Sequence, residues 1–336
     1  MKAYKGFKKD LTCRGFKFEE GKEYKEENIK ICEKGFHACE DPLDIFSYYD
    51  IIESTVHEVE ILGEVQKKEN EDTKICTNHI KIGAKIELKN IIKASIAFIF
   101  SKTEKSSGYS ATNASSGDSA KNASSGDYAT NASSGYYAKN ASSGYSAKNA
   151  SSGDSAKNAS SGDSAKNESS GNYAKNASSG NYATNASSGD SAKNVSSGAH
   201  AKNVSSGDYA KNASSGDSAK NVSSGAHAKN VSSGDYAKNA SSGYSATNAS
   251  SGDHAKNASS GNYATNIMEG KYSVSVDAGN CGKAKGKKGC WICLTEWEYS
   301  EKANIPICCK AVKIDGKKIK EDIFYTLKDK KFVEVI

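Results

Sequence analysis

Only two prolines interrupt this chain of 336 residues, which also carries 30 glycines. That balance suits one elongated repeat array with capping domains better than a pair of ordinary globules. No apolar run reaches the ~18 residues a membrane helix needs, so no membrane partner is expected. A secretory signal is missing, the start is charged (Met-Lys-Ala-Tyr-Lys-Gly-Phe-Lys-Lys-Asp), and the cysteines number nine, an odd count. Together these imply reduced thiols in a cytoplasm. The formal net charge of +6 names no partner by itself. No cofactor motif appears. The GGxGxD pattern of calcium-binding nonapeptides is missing, and so are the regular threonine rows of ice-binding solenoids.

What is present is a period. From Gly108 to Gly270 glycine recurs every nine residues without a slip, and each unit begins Gly-x-x-Ala-[Lys/Thr]-Asn, nearly always followed by [Ala/Val]-Ser-Ser. A unit this small cannot bury a face alone and must stack on its neighbours. Numbered from glycine, positions 4, 6 and 8 (Ala, Asn, Ser) barely vary, whereas 3, 5 and 7 do. Strand side chains alternate, so the invariant set is expected inward and the variable set outward. Ser-Gly-Asp or Ser-Gly-Asn supplies the turn, with glycine expected at positive φ. Buried amides must be paired, and Asn113, Asn122, Asn131, Asn140 and their successors are predicted to form a core ladder from coil to coil.

The expected fold is mainly β: a nonapeptide-repeat β-solenoid with two repeats, 18 residues, per coil. Three repeats per coil would leave a triangle that Ala, Asn and Ser cannot fill to native density. The 27-residue spacing of His200, His227 and His254 therefore reads as duplication, and with His227 on the opposite side from the other two no metal site is expected. The domains are placed at 1–103 (α+β N-terminal cap), 104–287 (solenoid) and 288–336 (β-rich C-terminal cap). In the first, strands are predicted at Ala3–Lys8, Gly15–Phe18, His57–Val65 and Ile80–Ile86, and a helix from Asp41-Pro42. Ile91 to Phe100 is expected to cover the first coil. In the last, strands are predicted at Trp291–Trp297, Cys309–Ile314, Lys317–Ile319 and Lys331–Ile336.

Three clusters invite chemistry. Position 5 is Lys in 13 of 18 units, and Lys121, Lys139, Lys157, Lys175, Lys193, Lys211 and Lys229 should stack on one face beside Tyr137, Tyr173 and Tyr209. Such a face would bind nucleic acid or another polyanion, unless the Asp at position 2 of nine units offsets its field. Cys290-x-x-Cys293, with Cys281 and Cys308-Cys309, has zinc-like composition, but strand geometry points residues three apart to opposite faces. His37 lies two residues from Cys39. The Asn-x-Ser triplets of the array match the glycosylation acceptor but point inward.

Cys13-Arg14-Gly15-Phe16, Gly35-Phe36-His37-Ala38-Cys39 and a glycine-asparagine array ending in Lys283-Ala284-Lys285-Gly286 and Gly289-Cys290-Trp291-Ile292 resemble an uncharacterised bacterial and bacteriophage repeat family. The resemblance implies a phage or mobile-element setting, hence a host-cell cytoplasm, and no established activity. A looser similarity to ADP-ribosyltransferase-like cores runs through Arg14-Gly15, Tyr48-Tyr49 and Glu60, with Glu58 as an equal fit; Arg14 and Glu60 from that similarity, and His37 from its place beside Cys39, are the catalytic candidates. The leading expectation is a non-enzymatic, rigid scaffold that binds a macromolecular partner, most simply a protein. An N-terminal enzyme and a polyanion-binding rod are the alternatives, and self-association through the caps is a further expectation.

Overall fold

Each nonapeptide folds as one four-residue strand over positions 5 to 8, as in Lys157–Ser160. In this computed structural model, which describes residues 1–50, 53–67, 72–103, 105–106, 108–299 and 304–335, the strands fall alternately into two parallel sheets. Every residue pairs with the one eighteen positions on, Lys139 with Lys157 and Asn140 with Asn158. Two repeats therefore make one coil, about 4.8 Å thick. Residue 104, the first assigned to the solenoid, lies outside the described residues, as does Ile336.

Ala156, Asn158 and Ser160, positions 4, 6 and 8, are fully buried. The Asn140 side-chain nitrogen donates to Asn158 Oδ1 (3.0 Å), Ser133 Oγ (3.0 Å) and the Ala150 carbonyl (2.8 Å). The first bond runs up one sheet; the other two cross to the opposite sheet. The ladder thus fastens coil to coil and face to face, which is how a core of small polar groups avoids the cost of unpaired burial.

The glycine expectation is corrected. Array glycines do not take positive φ; position 3 does in most repeats from Ser155 onward, with Tyr173 at 56° and His200 at 57°. This left-handed residue is held by its amide, as Tyr173 N–H donates to the Asp190 carbonyl at 2.9 Å. Glycine is required for another reason: a Cβ on Gly180 would lie 1.9 Å from the Gly162 carbonyl oxygen one coil earlier. Position 2 is structural too. Asp190 Oδ1 accepts the Asp208 N–H at 2.9 Å, and Asp235 Oδ1 accepts that of Asp253 at 2.8 Å.

The N-terminal domain comprises β1 (Lys2–Lys8), the two-residue pair β2 (Thr12–Cys13) and β3 (Phe16–Lys17), β4 (Glu23–Lys25), β5 (Phe36–Cys39), α1 (Ile45–Tyr48), β6 (Ser54–Ile61), β7 (Val65–Lys67), β8 (Lys74–Thr77), β9 (His79–Ile86) and α2 (Leu88–Ser101). Seven strands form one antiparallel sheet in the order β4-β9-β6-β1-β5-β8-β7. One sheet face packs Ala3, Phe7, Val59 and Ile80 beneath the β2–β3 hairpin. The other packs Val56 against Ile92, Ile96 and Ile99 of α2.

Here lies the main departure from the sequence reading. Helix α2 does not close the end of the solenoid. It lies along the side, burying Ala141, Ala159 and Ala177, which are position-7 residues of one face, in a core shared with Leu43, Ile45 and Phe46. We call this the docked face and its opposite the open face. At the far end both sheets continue into antiparallel hairpins, Trp291–Tyr299 with Asn304–Lys313 on the open face and Phe324–Lys328 with Lys331–Val335 on the docked face. Met268, Ile292, Leu294, Ile314 and Tyr325 fill the space between them. Lys317–Ile319, expected as a strand, is a bend in which Asp315 caps the Lys317 and Ile319 amides.

Candidate functional site

The two faces start from nearly the same chemistry, a lysine column at position 5 beside small side chains at position 7. Docking makes them different. Of the predicted binding column, Lys139, Lys157 and Lys175 are buried. Asp41 and Asp44, both fully buried, meet them: Lys139 lies 3.8 Å from Asp41 and 3.9 Å from Asp44, Lys157 contacts both, and Lys175 is 3.8 Å from Asp44. Further along, Lys175 bonds Ser47 Oγ, Lys193 the Phe46 carbonyl, Lys211 Asp50, and Lys229 Glu53 at 3.6 Å. Only Lys121, at the edge, remains exposed. Tyr137 and Tyr173 border this junction, and Tyr209 stands exposed beyond it. The column predicted to hold a polyanion is therefore an intramolecular dock.

Local chemistry explains why it holds. Asp41 is the N-cap of the turn at Pro42–Asp44, accepting the Leu43 amide at 3.1 Å and the Ser95 hydroxyl of α2 at 2.6 Å. Burial works to raise its pKa, but Lys157, Lys139 and these bonds keep it below the ordinary carboxylate value. Burial pushes Lys157, Lys175 and Lys193 down to about 8.

On the open face Lys148, Lys166, Lys202, Lys220, Lys238 and Lys256 are exposed and, among the described residues, have no acidic partner. Beside them position-3 rings stack: Tyr182 on His200 (5.2 Å, 5° between planes), Tyr236 on His254 (5.1 Å, 7°), and His254 on Tyr272 (5.4 Å). Ser218 interrupts the ring column. A cleft of about 440 Å³ opens there, lined by His200, Ser218, Lys220, Tyr236, Lys238, His254 and Lys256, with no carboxylate among them. The histidines are ring-stack members; His227 stacks on Tyr209 on the other side. Nearer the N-terminus a second groove of about 820 Å³ has a floor of small apolar side chains, including Ala132, Ala150, Ala186 and Val204, interrupted by Glu168 and edged by serines.

The N-terminal domain holds a cavity of about 1190 Å³, to which Lys5, Cys13, Arg14, Phe16, His37, Tyr48, Tyr49 and Lys74 contribute. Arg14 and His37 line it; Glu60, exposed on β6, does not, and Glu58 pairs with Lys2 at 2.8 Å. The three catalytic candidates are thus not brought together. Cys39 is no partner for His37 either: it faces the α2 core, and burial raises its thiol to about 12. His37 Nε2 accepts the Cys32 amide at 2.9 Å, and burial with the charges of Lys74, Lys5 and Arg14 lowers its pKa to about 4. Lys5 escaped notice in the sequence, where it is one lysine of several. Its ammonium is buried, bonding the His37 carbonyl at 3.0 Å and lying 3.6 Å from Cys13 Sγ, which is 2.9 Å from Tyr49 Oη.

At the C-terminus Cys290 is buried and bonds the Gly270 carbonyl, while Cys293 points outward, 3.5 Å from Cys309. No three metal-ligating side chains converge among the described residues, and no helix there is long and apolar enough to cross a membrane.

In comparison with known families, residues 1–94 match a domain of unknown function, DUF7666. That match ends inside α2, before the array begins. No curated protein and no solved structure matches the chain.

Proposed function

We propose that the protein is a rigid, non-enzymatic binding rod whose open face takes an extended polyanion, with single-stranded nucleic acid the best fit. One observation carries this reading. The docked lysine column is matched by acids of the same chain, whereas the open column is not and runs beside stacked rings in a cleft without carboxylates. Cations track a backbone while rings receive bases, and neither needs a fixed sequence. A phage or mobile-element accessory, acting on host nucleic acid or host protein, fits such a role.

The test is oligonucleotide affinity against salt. Six lysines contacting a single strand give a slope of log K on log salt of up to about −4. Replacing Lys202, Lys220, Lys238 and Lys256 with Thr, the residue already at position 5 in Thr184 and Thr247, should flatten that slope by about 3. A salt-independent affinity, or an equal loss from Lys211→Thr and Lys229→Thr on the docked face, counts against the proposal.

A protein partner is the second reading, favoured by the open-face groove. Its docked-face counterpart, at Ala141, Ala159 and Ala177, already seats a helix with acidic neighbours. Ala150→Glu with Ala186→Glu separates the two readings, since Glu168 shows the row tolerates a carboxylate. A partner in the groove is lost; oligonucleotide binding at His200 to Lys256 persists.

A further inference from the structure

The N-terminal cavity presents an imbalance of charge that no contact among the described residues resolves. The acids on its lining have partners: Asp10 accepts from Thr12, Glu26 faces Lys34, Glu33 faces Lys30, Asp50 meets Lys211 and Glu53 meets Lys229. The cations Lys5, Arg14 and Lys74 have no carboxylate partner among the described residues. Lys5 is only 4% exposed, so water screens it poorly, and its ammonium rests near the rings of Phe7 and Phe18 at 5.3 and 5.8 Å. Arg14 reaches only the Glu33 carbonyl, at 3.5 Å, and Lys74 lies over the Tyr48 ring, 3.2 Å from Cys32 Sγ. All three line the same cavity as His37, and their charges help to hold its imidazole neutral. A buried cation without a counter-charge is costly unless a ligand supplies one.

Two backbone positions here are left-handed, Arg14 at 51° in the two-residue turn with Gly15 that joins β2 to β3, and Cys32 at 70°. At the mouth stand two large exposed rings, Phe16 at 53% and Tyr48 at 48%. Phe16 is braced edge-on by Phe18 and Tyr24, with centroids 4.8 and 5.6 Å away. A braced aromatic ring in water beside a cationic pocket suits a flat group on the ligand.

We propose that this pocket binds a phosphorylated small molecule, its phosphate held by Arg14, Lys74 and Lys5 and its planar ring laid against Phe16 and Tyr48. The proposal is independent of the open face. It is tested by calorimetry on the full chain with inorganic phosphate, ribose 5-phosphate and adenosine monophosphate as probes. Saturable binding is expected for both organic phosphates, with the ring-bearing probe at least tenfold tighter. Arg14→Gln and Lys74→Met, exposed or half-buried changes that spare the core, should each weaken binding at least tenfold; Phe16→Ala should cancel the preference for the ring. Circular dichroism and an unchanged unfolding midpoint identify variants that remain folded. No binding at millimolar probe overturns the proposal. So does binding that survives Arg14→Gln and Lys74→Met but is lost with the four open-face lysines. Equal affinity for all three probes overturns the ring contact.

Discussion

If array glycines are kept by stacking and not by turn geometry, the same substitution should be costly at one and nearly neutral at the other of two equivalent positions. In the middle of the array a Cβ on Gly180 would sit 1.9 Å from the Gly162 carbonyl oxygen, 2.5 Å from its carbon and 2.7 Å from Asp163 Cα. All three are backbone atoms, so no side chain can step aside. Restoring ordinary contact requires the coils to part by more than 1 Å at that corner, against a spacing of about 4.8 Å. The Ser179 N–H bond to Ser160 (3.0 Å) and the Tyr182 N–H bond to Asp163 (2.8 Å) flank the site and would be lost. At about 1–3 kcal/mol for each orphaned group, Gly180→Ala should cost roughly 3–5 kcal/mol. Gly117 occupies the same repeat position, yet a Cβ there meets only Ala120 Cβ, at 3.8 Å. Gly117→Ala should therefore change stability by less than about 0.5 kcal/mol. Urea denaturation of the two variants, followed by far-UV circular dichroism, measures both. Equal damage at the two positions would mean that backbone conformation, not the neighbouring coil, demands glycine, and the stacking argument would fail.

Other consequences follow from the dock and the ladder. Asp44→Asn leaves Lys139, Lys157 and Lys175 short of a buried counter-charge, at a cost of about 3–5 kcal/mol; hydrogen exchange should rise in α2 while the array beyond Gly234 stays protected, and unchanged α2 protection would contradict the network. Asn158→Ala removes donations to Ser151 (3.0 Å), Asn176 (3.0 Å) and the Glu168 carbonyl, so a loss of about 3 kcal/mol or more is expected, against little change for Ser161→Ala at the half-exposed position 9. Lys157, Lys175 and Lys193 release protons near pH 8 in the folded chain and near the ordinary 10.5 when unfolded. Between those values the unfolded chain binds more protons, so their contribution to stability rises with pH across that window. The urea midpoint of wild type should gain on that of Lys193→Thr from pH 7.5 to 9.5, and a relative fall would refute the assignment.

The coil was legible because its determinants are local. Alternation of period two put Ala, Asn and Ser inside, and their small volume allowed only a thin two-sheet cross-section, hence 18 residues per turn. Position 2 was read as a charge row and its capping role was missed, because an Asp that caps an amide one coil away looks, in sequence, like any turn Asp. The dock could not be read at all. Lys157 on the docked face and Lys166 on the open face sit in almost identical repeats; what distinguishes them is the arrival of Asp41 and Asp44, more than 90 residues earlier in the chain. The N-terminal pocket was glimpsed through Arg14 and His37, but Lys5 became notable only once β1 and β5 placed it beneath His37 with no acid beside it. Glu60 was chosen for its strand and order, which say nothing about which side of the sheet borders a cavity.

Near-identity of the repeats has a consequence for the whole rod. Docking engages lysines up to Lys229, so coils beyond it are set only by their neighbours. Deleting Gly234 to Ser251, two repeats, returns every downstream residue to its own face and should shorten the rod by one coil, about 4.8 Å, without rotating the C-terminal hairpins. Deleting Gly234 to Ser242, one repeat, keeps the Asn and Ser ladders intact because both faces use the same inward set, but moves everything downstream to the opposite face. The hairpin ending in Lys313 would then lie on the docked side, half a turn from its present place. Spin labels on Lys93 and Lys313, measured by pulsed electron resonance, distinguish these outcomes: a small axial change for the 18-residue deletion and a change across the rod for the 9-residue one, with unfolding midpoints close to wild type in both. Loss of folding in the 9-residue deletion alone would show that the two faces are not interchangeable, and that side chains at positions 3 and 7, not the shared inward ladder, decide which repeat stacks on which.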